Sequence, residues 1–431
     1  MIILIASWGN PNKWNSVTYH FDGEKDVSKT SLKILVKKLK PDLSVVFVGD
    51  TLAGFNEFQN YHQLIEGVRG DIRNFIEVEG ISDNRLKVVV VPAVGSFENG
   101  NFLGNVKDYY YYALFCISEL IFRQICESKV PEEIEFILDL THGINYMPVF
   151  LYRALRESLG LVAYFTKARL KVFVSDPVSM DLNQMRSYNI NIVEDTVLRP
   201  AVPEISVKLT GSDVALVDGI KPSCRLPYDV MTTALAFMQS LKEGLPLCLA
   251  TFCSEATKTS EFMKKTVMEY RNSVSIKPGE KLVVEKKARF NELFRICCLY
   301  SIGANMLTKT KGCFNPEEGV PLEVLCSVAD IFSFSRRISQ SIINDISGKG
   351  NKYSLEKAAV NLKSEGWEYL GLLFEDGNAK GLGNLNERNF YAHSGFERKV
   401  TQLKKLNGKV LVRYLPKSVE SIKKVLTKEF R

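Results

Sequence analysis

A doubly wound, Rossmann-like α/β domain over residues 1–200 and a mainly α-helical domain over 227–431 are predicted, joined by a linker at 201–226. Three observations predict this. Four runs of continuous apolar, β-rich residues punctuate the first half, at 2–6, 44–49, 86–91 and 134–140, with helical patterns between them. Uninterrupted apolar strands alternating with helices mark a parallel sheet covered on both faces. After Pro200 and Pro203 the chain is turn-rich as far as Pro227, and from there the apolar spacing is helical almost throughout. A length of 431 residues accommodates two or three domains, and 45% hydrophobic with 24% charged residues is a globular balance that excludes a disordered or fibrous chain.

Within the first half, 29–39 has helical periodicity (Leu32, Leu35, Val36, Leu39), 56–80 is helical, 105–126 is a long aromatic-rich helix and 146–159 a further helix. The runs 161–165 and 170–175 are expected to pair as a hairpin. In the second half helices are expected over 230–241, 284–306, 321–346, 354–370 and 417–430, with room for an insertion around 245–320. Gly381-Leu382-Gly383-Asn384 precedes a short helix, and 409–414 reads as a strand of a hairpin turning at Asn407-Gly408.

The net charge of +7 is unevenly divided: 21 Lys/Arg against 24 Asp/Glu in 1–200, and 35 against 25 in 201–431. The second half can therefore attract a polyanion, although a solvated basic tail helix accounts for the charge from 401 onward equally well. Nine scattered cysteines without a Cys-x-x-Cys pair, and four histidines, argue against a zinc site and a secreted disulfide framework, so buried thiols in a cytoplasmic protein are expected. The apolar start lacks a basic leader, and no run of about 18 apolar residues occurs, so neither a signal peptide nor a membrane span is expected.

Ligands of open parallel sheets bind outside the carboxyl ends of the strands. The loops there are polar: 7–15 after the first run, Gly49-Asp50-Thr51 after the second, 92–101 after the third, and Asp139-Leu140-Thr141-His142-Gly143-Ile144-Asn145 after the fourth. The last reads as a strand passing through a Thr-His-Gly turn into a helix whose first amides could receive an anion, with Gly143 allowing close approach. Asp139 or Thr141 acting as a plain helix cap is the alternative use of the same residues. Trp8 and Trp14 could stack on a base or pack their own loop. The absence of Gly-x-Gly-x-x-Gly and of a Walker motif disfavours an ordinary NAD enzyme or a P-loop ATPase.

A second constellation is Arg388-Asn389-Phe390-Tyr391-Ala392-His393. On a helix Asn389 and His393 share a face, while Arg388 stands about 140° from His393 at 3.6 residues per turn. A His that titrates near neutrality can move a proton at a 2′-hydroxyl or a leaving oxygen, and Arg offers a planar fork to a phosphate.

Asp139-x-Thr141-His142-Gly143, with the opening strand and Ser7-Trp8-Gly9-Asn10-Pro11, resembles the signature of CRISPR-associated Rossmann-fold (CARF) sensor domains. Arg388-Asn389-x-x-x-His393 resembles the Arg-x4–6-His motif of HEPN ribonucleases. Their order is similar to that of the CARF–HEPN accessory ribonucleases of type III CRISPR systems. The resemblance implies a homodimer, with higher assembly left open, and an allosteric activator, cyclic oligoadenylate (cyclic tetra-adenylate first), bound by Trp8, Gly9, Asn10, Trp14, Thr141, His142, Gly143 and Asn145. It implies single-stranded RNA as substrate, cut without metal or cofactor at a composite site of Arg388, Asn389 and His393. Rival readings are a CARF-type ligand-dependent nucleic-acid-binding regulator without catalysis, and a metal-dependent DNA nuclease. Cleavage of its own activator at the loop of Lys13, Trp14 and Ser16 is an additional reading.

Overall fold

The four apolar runs become the centre of an eight-stranded mixed sheet. The computed structural model describes residues 1–430 apart from 55–57, 127–128, 178–186, 313, 349–352 and 375–379. From the N-terminus the chain forms β1 (Ile2–Trp8), a hairpin of β2 (Val17–Phe21) and β3 (Glu24–Ser28), α1 (Leu32–Leu39), β4 (Leu43–Gly49), α2 (Tyr61–Val78) and β5 (Leu86–Val91). A small hairpin of β6 (Gly95–Ser96) and β7 (Gly100–Leu103) follows, then α3 (Lys107–Ile121), β8 (Glu133–Asp139), α4 (Met147–Val162), β9 (Lys167–Ser175) and β10 (Ser187–Val197).

The sheet order is β3-β2-β10-β9-β8-β1-β4-β5. β9, β8, β1, β4 and β5 run parallel. Every residue of β4 is buried, as expected of a strand covered on both faces. One expectation is corrected here. Residues 161–162 end α4, so 161–165 forms no hairpin; β9 instead pairs antiparallel with β10. The β2–β3 hairpin, turning at Asp22-Gly23 with both φ positive, extends the sheet through a parallel β10–β2 pairing. Residues 56 and 57 of the helix expected over 56–80 lie outside the described residues.

The segment 201–226 is mostly irregular, but it is not a free tether. Leu209 is buried and its N–H donates to the Phe430 carbonyl at 2.6 Å, and β11 (Val217–Asp218) forms within it. Next come α5 (Tyr228–Glu243), α6 (Pro246–Phe252), α7 (Ala256–Asn272), β12 (Val274–Lys277), β13 (Leu282–Lys286), β14 (Arg289–Phe290) and α8 (Glu292–Lys311). The single helix expected over 284–306 is thus two strands and a helix. Its start is set by Asn291, whose side chain accepts from the Leu293 and Phe294 amides.

This middle region belongs largely with the first half. β13 pairs parallel with β7, giving a second sheet β12-β13-β7-β6, and β14 pairs with β11. At the joint Lys286 and Asp50 form an ion pair at 2.9 Å with their side chains 1% and 0% exposed. Asp50 also accepts from Tyr61 Oη at 2.7 Å and the Ala93 amide at 2.8 Å. Lys286 also donates to the Ala93 carbonyl at 2.6 Å. α8 packs against α3 and α4 on one side and α5 on the other, so one buried helix is shared by the two halves.

The remainder forms β15 (Val320–Pro321), α9 (Leu322–Ala329), α10 (Arg336–Ser347), α11 (Leu355–Val360), β16 (Glu368–Tyr369), α12 (Glu387–Ala392), β17 (Thr401–Leu406), β18 (Lys409–Tyr414) and α13 (Val419–Leu426). The helix expected over 321–346 is two, because Ser335 caps a new start by accepting from the Ile338 amide. Only 355–360 of the helix expected over 354–370 is helical. The β17–β18 hairpin turns at Asn407-Gly408, both at positive φ, and the sheet β15-β18-β17-β16 lies among the helices. The basic tail is docked, not solvated. Ile422 and Leu426 of α13 are buried, and Lys423, also buried, pairs with Asp229 of α5 and with Glu420 at 2.8 Å. Among the described residues no helix is long and apolar enough to cross a membrane, and the described cysteines are free thiols, with Cys248, Cys253, Cys297 and Cys298 buried.

Candidate functional site

The mouth of the large sheet is built by the loops after β1 and β8. The Gly9 amide donates to the His142 carbonyl at 2.8 Å, which joins the two loops through their backbones. A Cβ on Gly143 would lie 2.3 Å from Pro148 Cγ, so only glycine fits beneath the first turn of α4. Asp139 is buried and accepts from Ser31 Oγ at 2.6 Å and from the Thr141 amide at 3.0 Å. Thr141 Oγ1 accepts from the Ser175 amide at 3.1 Å, which ties the turn to the end of β9.

His142 lies at the centre of this arrangement. Its ring stacks on Trp14 with centroids 3.9 Å apart. Nε2 accepts from the Ser31 amide at 3.4 Å and from Tyr19 Oη at 3.0 Å. An acceptor at Nε2 puts the ring proton on Nδ1. Burial pushes the His142 imidazole down to about 3, so the ring is neutral and carries no charge for a phosphate.

The expected ligand contacts therefore divide. Trp8 is 1% exposed and packs edge-on against Trp14 and Phe75, so it offers no stacking face. Thr141 and His142 are committed to the frame. α4 opens at Met147, and the Gly143 amide donates to the Leu140 carbonyl at 3.1 Å. The turn therefore does not present the consecutive free helix amides that the sequence suggested, and Asp139 caps the turn. Asn145 is exposed at φ +51, Asn10 and Trp14 are half-buried, and Lys13, Asn15 and Ser16 are exposed. These line the open side.

A second site lies in the helical half. α12 is six residues long, started by Asn386, whose side chain accepts from the Asn389 amide at 3.0 Å. Phe390 is buried and anchors it. Asn389 and His393, one turn apart, line a cavity of about 680 Å³ with Lys380, Glu397, Arg398 and Lys399. Arg398 lies over the Tyr353 ring at 3.6 Å, which fixes its planar fork. Burial raises the Glu397 carboxyl above its usual range, partly offset by Lys399 and His393. Arg388 is exposed and lies outside this lining. The cavity thus combines an imidazole, an amide and an excess of cations. A larger polar cavity of about 710 Å³ lies between α3, α4, α8 and the linker. Its arginines are engaged by carboxylates, Arg295 and Arg153 with Glu157 at 2.8 and 2.9 Å and Arg156 with Glu194 at 2.6 Å, so it serves as a structural joint. Among the described residues no three His, Cys, Asp or Glu side chains gather where they could hold a metal ion.

Residues 3–177 match the family model described as the CARF domain of the CRISPR system endoribonuclease Csx1, and residues 335–417 match that of its HEPN domain. The chain is 29% identical over 434 aligned positions to the CRISPR system endoribonuclease Csx1 of Methanocaldococcus jannaschii, covering 95% of this chain and 88% of that protein. The chain belongs to the CARF–HEPN ribonuclease family of CRISPR systems.

The CARF match ends near the end of β9 and the HEPN match begins at the cap of α10. The region between them supplies β12 and β13 of the second sheet and the shared helix α8. Sequence reasoning missed Tyr19 and Ser31, which position His142, and Asp345, whose Oδ1 lies 3.3 Å from His393 Nδ1. The alternation of Val17, Tyr19 and Phe21 was available as a strand signal; the other two meet their histidines only through the fold.

The neutral His142 of the CARF domain has a measurable consequence. An unfolded His binds a proton near pH 6.5, whereas the folded ring resists protonation down to about 3. Its contribution to stability is therefore complete above pH 6.5 and lost as pH falls toward 3. His142→Gln should flatten the fall in melting temperature between pH 7 and 4.5 relative to wild type. Parallel melting curves for the two proteins would show that the ring is not buried neutral.

Proposed function

We propose that this chain is an endoribonuclease that cuts single-stranded RNA without a metal, switched on by a cyclic oligoadenylate, cyclic tetra-adenylate first, held across a dimer of its CARF domains. One observation carries the reading: Asn389 and His393 line a cationic cavity while Arg388 of the same motif stands exposed outside it. A second copy, meeting the first across a two-fold axis, would bring its own motif against that opening. His393 then acts as general acid and base, Asn389 orients, and Arg388 stabilises the charge that develops on the scissile phosphate. Attack by the 2′-hydroxyl on phosphorus breaks the bond to the 5′-oxygen, which leaves with a proton, giving a 2′,3′-cyclic phosphate and a 5′-hydroxyl. At the sensor end the activator would meet Asn10, Trp14 and Asn145, with Gly9 and Gly143 allowing close approach. Trp8, Thr141 and His142 hold that surface in shape. A packed route runs between the sites: α4 leaves the Thr-His-Gly turn, rests on α8, and α8 rests on α9, which contacts α10 beside His393. A ligand that favours one dimer arrangement can bias the other end through such a route.

The end chemistry of the products tests the reaction. RNA fragments formed in EDTA should carry a 2′,3′-cyclic phosphate and a 5′-hydroxyl. Fragments with 5′-phosphates, formed only when a divalent metal is added, would overturn the mechanism.

A further inference from the structure

We propose that Asp345 is the positioning residue of the nuclease site, fixing the tautomer and ring plane of His393 so that Nε2 is the nitrogen presented to RNA. The inference rests on the ribonuclease reading above and assigns a residue 48 positions upstream of the motif, on a different helix.

The geometry comes from both sides. Asp345 lies in the last turn of α10 and is 6% exposed. Its Oδ1 faces His393 Nδ1 at 3.3 Å, and its Oδ2 accepts from Ser394 Oγ at 3.0 Å. Ser341 Oγ, one turn earlier on α10, lies 3.2 Å from Ser394 Oγ. The carboxylate is thus held by one neighbour of the motif while it holds the other. The chain around His393 is equally constrained. α12 ends at Ala392, His393 caps it, and Ser394 and Gly395 follow at φ +48 and +87. Ser394 adopts a backbone conformation that L residues rarely take. Its buried hydroxyl on Asp345 and the Gly395 amide on the Phe390 carbonyl at 2.8 Å hold it there.

The chemistry follows from the inventory of the ring. A neutral imidazole carries one proton, and a carboxylate can only accept. With Asp345 at Nδ1 the proton sits on Nδ1, and the Nε2 lone pair is left for the substrate. His393 keeps 35% of its side chain exposed, whereas Asp345 is enclosed, so the open part of the ring lies on the cavity side. When Nε2 takes a proton, the carboxylate offsets the new charge. Among the described residues, the other charged groups lining the same cavity are Glu397, Arg398 and Lys399, which follow the histidine in the chain, and Lys380.

Asp345→Asn keeps the shape and removes the charge, while Asp345→Ala removes the contact. In activated cleavage of a labelled single-stranded RNA in EDTA, kcat should fall about 10- to 100-fold for Asn and further for Ala. KM for the RNA and the affinity for cyclic tetra-adenylate should be unchanged. In ¹⁵N spectra of histidine-labelled protein, the His393 signals, assigned by their loss in His393→Ala, should show a protonated Nδ1 in wild type and mixed tautomers in Asp345→Ala. Should the Ala variant fail to fold, the Asn variant decides through kcat alone. Wild-type kcat in both variants with unchanged His393 signals overturns the proposal. If wild type cuts no RNA, the ribonuclease reading fails instead, and the nitrogen spectra still decide whether Asp345 sets the ring.

Discussion

Replacing His393 with Ala should lower activated RNA cleavage by about 10²- to 10⁴-fold, the range that a positioned acid–base group supplies. Among the described residues that line the nuclease cavity, His393 is the one imidazole, so no second histidine stands in for the lost ring. The fold should tolerate the change. His393 is partly exposed, and Asp345, which meets its ring, keeps its bond from Ser394. Loss of a single half-exposed bond costs about 1 kcal/mol. Affinity for cyclic tetra-adenylate should be unchanged, since the sensor mouth lies at the far end of α4 and α8. Residual cleavage at wild-type rate would remove His393 from the reaction, and loss of activator binding would point to a collapsed fold.

Lys286→Met should give the largest loss of stability. The Lys286–Asp50 pair is completely enclosed, and removing one partner of a buried pair strands the other charge. Such changes cost about 3–5 kcal/mol. Here about 3 kcal/mol is expected, because Asp50 keeps its bonds from Tyr61 and Ala93. The site also joins two elements nearly 240 positions apart in sequence, so β13 should loosen from β7 and expose the second sheet to hydrogen exchange. Asp50→Asn combined with Lys286→Met removes both charges and should recover most of the loss. Chemical denaturation of the two variants checks this; equal loss in single and double variants would mean that packing, not the charge, fixes the joint.

The parts of the fold legible in the sequence are those whose local pattern matches their final surroundings. β1 and β4 are apolar on both faces because both faces are covered, and their runs, with the apolar stretches of β5 and β8, stand out in the chain. The β17–β18 hairpin was legible from Asn-Gly, which supplies the two positive φ values of its turn. The strands β2, β3 and β10, at one end of the sheet, carry polar faces and were missed. The expected helix over 284–306 merged β13 with α8 because Val283, Val284 and Phe290 continue a helical spacing by chance. Asn291 was the available stop signal, as Ser335 was between α9 and α10. The pairing of Asn389 and His393 on one cavity was legible because they are one helical turn apart. Asp345 was not, because an aspartate within a helical pattern carries no mark of the histidine it will meet 48 residues later.

At the sensor mouth the sequence marked the loops after β1 and β8, and the structure shows how their residues are packed. Trp8, Thr141 and His142 have the chemistry of ligand contacts, yet burial and hydrogen bonding commit them to building the surface. Aromatic and polar side chains at a strand end can serve either purpose, and only their neighbours decide which.

The most direct test of the central claim is cleavage of a labelled single-stranded RNA in EDTA, with and without cyclic tetra-adenylate, by wild type and by His393→Ala. The account predicts cutting by wild type only when the activator is present, undiminished by EDTA, and none by the variant. Cutting that requires a divalent metal, or that proceeds equally without any cyclic oligoadenylate, would contradict it.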